Sequence, residues 1–266
     1  MRKLDIEERR VETREPCGVT LFTIRDIEGH FNETLSQAYK QIKLAEELSA
    51  KGLTEESEGI LRSQIILVES AYDFYLHELL RLGIVKIFTG EWEEKGKKYQ
   101  ELEIPLSLFE QAMKDDNDQC DWLKEWITEK YSHLTLMDYP QLKDICGLLC
   151  IKVKDVAELA FYNVGSQEKP EYTLERHIRE TYNRRNQIAH QADREMGTAK
   201  RKSISQSYVK FRIGIIRKVV LALSELARKK DDREDSPLNV GKSIRGLQRE
   251  LVKVLRLRMN NLTTSL

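Results

Sequence analysis

Glycine and proline are scarce in this sequence, 13 and 5 among 266 residues. A fold of many short strands needs a turn roughly every eight to twelve residues, so a β-sandwich or barrel is excluded. No apolar run of 18 or more residues occurs, which argues against a membrane-spanning helix. The start, Met1-Arg2-Lys3-Leu4-Asp5, leads into charge rather than into the apolar core of a secretory leader. The expected location is the cytoplasm, with no membrane partner. An excess of one charge sign is also missing: 44 Lys and Arg balance 44 Asp and Glu, so any attraction for a polyanion must be local.

Cysteine is sparse too. Cys17, Cys120, Cys146 and Cys150 make up the set. Cys146 and Cys150 are one helical turn apart, but no histidine or further cysteine lies close enough in sequence to complete a metal set. His30, His77, His133 and His177 show no ligand spacing either. The cysteines read as small buried hydrophobes, and neither a metal nor another cofactor is expected. Gly241-Lys242-Ser243 mimics the end of a phosphate loop, but Ser236 stands where the first glycine belongs and no strand precedes it.

What is present is helical. Apolar residues make up 40% and charged residues 33% of the chain, and the periodicity is that of helices throughout. Residues 1–31 read as an N-terminal extension. A first helix is expected over 32–50 with Asn32-Glu33-Thr34 as its cap region, and Gly52 ends it. A second runs over about 55–82, its positions Leu61, Ile65, Val68, Tyr72, Leu76 and Leu79 stepping by three and four, with Gly83 closing it. Residues 84–104 read as a surface excursion. Further helices are expected at about 105–114, 119–131, 139–150, 155–161, 171–194 and 207–229. The domain layout is a helical body over 32–230, a charged linker over 231–242 and an amphipathic helix within 243–266.

One helix concentrates the chemistry. At about 100° per residue, Leu174, Ile178, Thr181, Tyr182, Ile188, Ala189 and Ala192 share one side. Arg179, Asn183, Asn186 and His190 line a second, polar stripe. Arg185 does not join it: it points about 140° from His190, close to the middle of the apolar side. A guanidinium keeps its proton, so its burial without an anion is costly. On the second helix Glu69 projects among Ile65, Leu76 and Leu80, with Asp73 one turn on. Glu69 is therefore expected to pair with Arg185 and hold it at a cleft, with Asp73 in support.

Arg185-Asn186-Gln187-Ile188-Ala189-His190 resembles the R-x(4–6)-H signature of the HEPN superfamily, including the frequent Asn after the Arg. The stretch from Ser63 to Leu79 looks like an early helix of its RiboL-PSP-like branch. The resemblance extends over about residues 35–230, and its sharp part is the hexapeptide. It implies an all-α HEPN-type bundle acting as a metal-independent endoribonuclease, with a homodimer cleft to which both protomers contribute Arg and His. The residue types suit that chemistry. A histidine, with an ordinary pKa of about 6.5, can move protons at neutral pH. An arginine can stabilise charge on phosphoryl oxygens. Asn186, one turn before His190, can orient the imidazole or the phosphate. Two histidines across a two-fold axis can divide the acid and base roles. Some HEPN proteins that work with a nucleotidyltransferase carry a modified Tyr two residues after the His; Ala192 stands there, so that mode is not expected.

Residues 176–218 hold twelve Lys or Arg against three acids. Arg184, Arg194, Lys200, Arg201 and Lys202 are the candidate RNA contacts, and Tyr182 and Tyr208 are candidates for base stacking. An antitoxin or defence-system protein is the expected regulatory partner. The alternative is a non-catalytic HEPN module that binds nucleic acid or scaffolds a defence complex. A third reading is an unrelated helical adaptor in which the motif is accidental.

Overall fold

The computed structural model of the chain describes residues 19–114 and 120–232. These form nine helices: α1 (Ile24–Ala50), α2 (Thr54–Thr89), α3 (Lys97–Gln100), α4 (Leu106–Lys114), α5 (Asp121–Tyr131), α6 (Tyr139–Leu148), α7 (Val153–Phe161), α8 (Pro170–Gln191) and α9 (Gln206–Asp231). Apart from one antiparallel bridge between Arg194 and Arg201, the described residues contain no β structure. The fold is all-α.

Helix α1 starts eight residues before the expected point. Thr23 caps it: its hydroxyl accepts from the Asp26 amide at 3.2 Å while the Asp26 carboxylate accepts from the Thr23 amide at 3.1 Å. This reciprocal box satisfies two donors that a bare helix end would leave open. Residues 24–31 therefore belong to the helical body rather than to an extension. From there Ile24, Ile27, Phe31, Leu35, Ala38, Ile42 and Ala45 step along one buried face. Gly52, at φ 80°, turns the chain back into α2.

Helix α2 also outruns its expected limit, continuing past Gly83 to Gly90, which at φ 84° is the left-handed cap. Gly83 serves a different purpose. A Cβ there would collide with Leu149 and Trp92, so the missing side chain lets α2 approach the segment after α6. The expected excursion over 84–104 thus begins only after Thr89, and it contains the single-turn helix α3. The apolar positions read from the sequence, Leu61, Ile65, Val68, Tyr72, Leu76 and Leu79, are all buried.

Ion pairs and hydrogen bonds fix the helix directions. At one end of the bundle Gln206 of α9 donates to the Ile42 carbonyl and Glu46 of α1; at the other, Arg228 meets Glu28 at 2.7 Å. So α9 runs antiparallel to α1 and parallel to α2. Helix α8 runs against both α2 and α9, placing Glu180 on Arg212 at 2.9 Å and Arg184 over the Tyr208 ring. The four long helices α1, α2, α8 and α9 thus alternate up and down, with α3 to α7 inserted between α2 and α8. Their shared core includes Phe31, Tyr75 and Leu174, and the Tyr75 hydroxyl shares a 2.8 Å hydrogen bond with Ser224.

Asp231, expected to open the charged linker, is the last residue of α9 and accepts from the Trp92 indole at 2.8 Å and from Lys86 at 2.6 Å. The rest of the expected linker beyond 232, the amphipathic helix within 243–266, and Cys17 lie outside the described residues. No helix among those described is long and apolar enough to cross a membrane.

Candidate active site

Proline at its first turn opens α8, where a missing amide proton costs nothing. Leu174, His177, Ile178, Thr181 and Ile188 bury the inner face. On the opposite side the expected polar stripe is accessible: Arg179, Asn183 and His190 are exposed and Asn186 is half-buried. Arg179 is tied to Glu175 at 2.8 Å and lies over the Tyr139 ring. His190 stands in the last turn, where its positive form meets the negative end of the helix dipole.

Arg185 lies half-buried between these two faces. It donates to Asn186 Oδ1 at 3.0 Å, and its buried Nε has no hydrogen-bond partner. Glu69 faces it from α2, 1% exposed, with both carboxyl oxygens also without a partner. The expected direct pairing of Glu69 with Arg185 is not formed. Arg185 acts on Glu69 only through its field: burial pushes that carboxyl up to about 8, with Arg185 opposing the rise and Asp73 adding to it. A carboxyl so desolvated stays protonated at neutral pH, and a neutral acid has little reason to draw the guanidinium inward. Asp73 is engaged elsewhere, accepting from the Leu136 amide at 2.6 Å.

The basic cluster divides into committed and open groups. Arg184, expected as an RNA contact, is turned inward: it donates to Asp193 at 2.8 Å and to the Ser203 carbonyl at 3.1 Å. Lys202 donates to Gln187 of α8 at 2.9 Å. Lys200 and Arg201 remain exposed on a hairpin over 192–205, as does Arg194, which donates to the Ala199 carbonyl at 2.6 Å. Tyr182 and Tyr208 pack against the core. A separate shallow groove between α1 and α9 gathers Lys40, Lys43 and Arg217 and includes no residue of the hexapeptide.

Two residues that fasten the end of α8 escape the sequence reading, Asp193 and Arg62. Ala192 and Asp193 take left-handed backbone, φ 49° and 59°, and end α8 just after His190. Asp193 is fully buried and receives Arg62 Nε and Arg184 on one oxygen, each at 2.8 Å. Arg62 adds a 2.8 Å bond to the Lys202 carbonyl, which fastens the hairpin to α2. The available signal was Arg62 itself, next to Leu61 on a buried helix face, where a guanidinium needs an anion.

His177, which shows no ligand spacing, is buried between Phe161 and Phe211. Burial holds its pKa below the ordinary histidine value, with Arg176 adding to the shift. Cys146 is buried as expected, and burial pushes its thiol up to about 12. Among the described residues no group of His, Cys, Asp and Glu is arranged to hold a metal ion.

The chemistry available is thus an accessible imidazole, a half-buried guanidinium without a carboxylate partner, and a cationic hairpin at one end of the bundle. Compared with protein-family models, curated proteins and solved structures, the chain matches none of them.

Proposed function

We propose that this chain is a metal-independent endoribonuclease of HEPN type, acting as a homodimer in the manner of toxin or anti-phage effectors. The observation that carries the reading is the state of α8. Its accessible stripe presents Asn183, Asn186 and His190, while the neighbouring, half-buried Arg185 bonds Asn186 and has no carboxylate partner among the described residues. A fully structural arginine would be matched by a carboxylate, as Arg62 is by Asp193.

In the reaction, a ribose 2′-oxygen bonds to the adjacent phosphorus as its proton passes to His190. The bond from phosphorus to the 5′-oxygen breaks, and that oxygen takes a proton from the same histidine of the second protomer. Arg185 stabilises the charge gathering on the phosphoryl oxygens. The products are a 2′,3′-cyclic phosphate and a 5′-hydroxyl. Arg194, Lys200 and Arg201 attract the backbone.

Incubation with total RNA in a chelator tests this. Wild type is expected to cleave, and His190→Ala and Arg185→Ala each to slow cleavage by roughly a hundred- to ten-thousandfold. Cleavage that requires added metal, or that survives both substitutions, overturns the reading.

A further inference from the structure

We infer that Asp193 is a positioning residue for His190, so that the site extends beyond the hexapeptide to a buried acid three residues later. The inference rests on the ribonuclease reading for its chemistry and on the geometry alone for the positioning.

The end of a helix frays unless its last turn is tied down. Here the chain takes two successive left-handed residues within three positions of His190, an arrangement that costs energy for residues other than glycine. Asp193 is the reason it persists. Its amide donates to the Gln187 carbonyl at 3.0 Å, closing the last turn of α8, and its own carbonyl accepts from the Lys202 amide at 2.8 Å. Its carboxylate takes one guanidinium from α2, Arg62, and one from the middle of α8, Arg184. One side chain thus locks the turn bearing His190 to the body of α8 and to the neighbouring helix. The lock grips the end of α8 and, through the Lys202 and Ser203 carbonyls, the start of the return arm of the hairpin.

His190 itself has no side-chain hydrogen bond within the described residues, so the backbone of this turn is what fixes the position and direction from which its side chain departs. Proton transfer tolerates little misplacement. A loosened turn is therefore expected to lower the rate of the chemical step; because Arg62 also fastens the hairpin, RNA affinity falls with it, by a smaller factor. The second Asp193 oxygen is buried without a hydrogen bond, so the ionic grip falls wholly on the first.

The experiment uses the full chain carrying Asp193→Asn, with cleavage kinetics in chelator, amide hydrogen exchange and the NMR order of the His190 ring. The expected result is kcat down tenfold or more with a smaller rise in KM. Amides 189–191 should exchange at least tenfold faster and the ring should lose order, while α2 and α9 stay protected. Unchanged kcat, or unchanged exchange at 189–191, overturns the inference. If Asp193→Asn does not fold, Arg62→Gln and Arg184→Gln each remove one donor and take its place, with Arg62→Lys expected to restore part of the rate. If the wild type cleaves no RNA, the ribonuclease reading fails on its own, and exchange and ring order still decide whether Asp193 holds His190.

Discussion

Glu69 is an ionisable side chain almost wholly withdrawn from water, and its two oxygens lack hydrogen-bond partners. Its carboxyl in the fold loses its proton near pH 8, against 4.5 for a free glutamate. Between those values the folded chain keeps a proton that the unfolded chain releases. Stability from this group is therefore complete below about pH 4.5 and is lost as pH rises through about 8. At about 1.4 kcal/mol per pH unit, the total is on the order of a few kcal/mol. Denaturant unfolding at pH 5.5 and pH 8.5 should show wild type clearly weaker at the higher value and Glu69→Gln nearly level. An equal decline in both proteins would mean that Glu69 is ionised where it sits. The same residue shows how far sequence alone reaches. Helical spacing placed it correctly on the inner side of α2, opposite Arg185. It could not tell whether the two would form an ion pair or whether desolvation would first neutralise the acid, since that depends on how much water the packed helices leave.

At the scale of the element, α2 carries two glycines with opposite consequences. Gly59 is exposed and a Cβ there meets nothing within 4 Å, whereas a Cβ at Gly83 would strike Leu149 and Trp92. Gly59→Ala is expected to raise stability by up to about 1 kcal/mol through helix propensity. Gly83→Ala is expected to lower it by about 1–3 kcal/mol, because overpacking outweighs the same propensity gain. Thermal unfolding of the two variants side by side checks the contrast; stabilisation by both would remove the packing role of Gly83. This is also where the reading of boundaries failed. Glycine at 83 carries the local signal for a helix end, and only the approach of Trp92 and of Leu149, the latter 66 positions away, shows it to be a contact point. At the start of α1 the signal was present, Thr23-x-x-Asp26, but the polar triplet Asn32-Glu33-Thr34 offered a rival cap farther on. The apolar ladder of α2 was legible because every step of it is set within one helix.

For the whole molecule, the alternation of α1, α2, α8 and α9 was not written in any one segment. It follows from pairs distant in sequence, such as Arg62 with Asp193 and Arg228 with Glu28, 131 and 200 residues apart. The all-α character, by contrast, followed from composition and period alone. The proposed reaction needs two histidines, so light scattering should give about twice the mass of a single chain at assay concentrations. A strictly monomeric protein that still cleaves RNA would require one histidine to serve as both acid and base.

The place where α9 stops has a practical meaning. Asp231 is pinned beside Lys86, near the far end of α2, while the turn bearing His190 is pinned beside Arg62, near its start. At 1.5 Å per residue these two anchors stand about 36 Å apart. A dye attached at Asp232 would sit at the opposite pole of the bundle from one placed near His190. Energy transfer between such dyes then works as a ruler along the long axis, reading within one chain the span of the body and, in mixed samples, how a second chain is set against it.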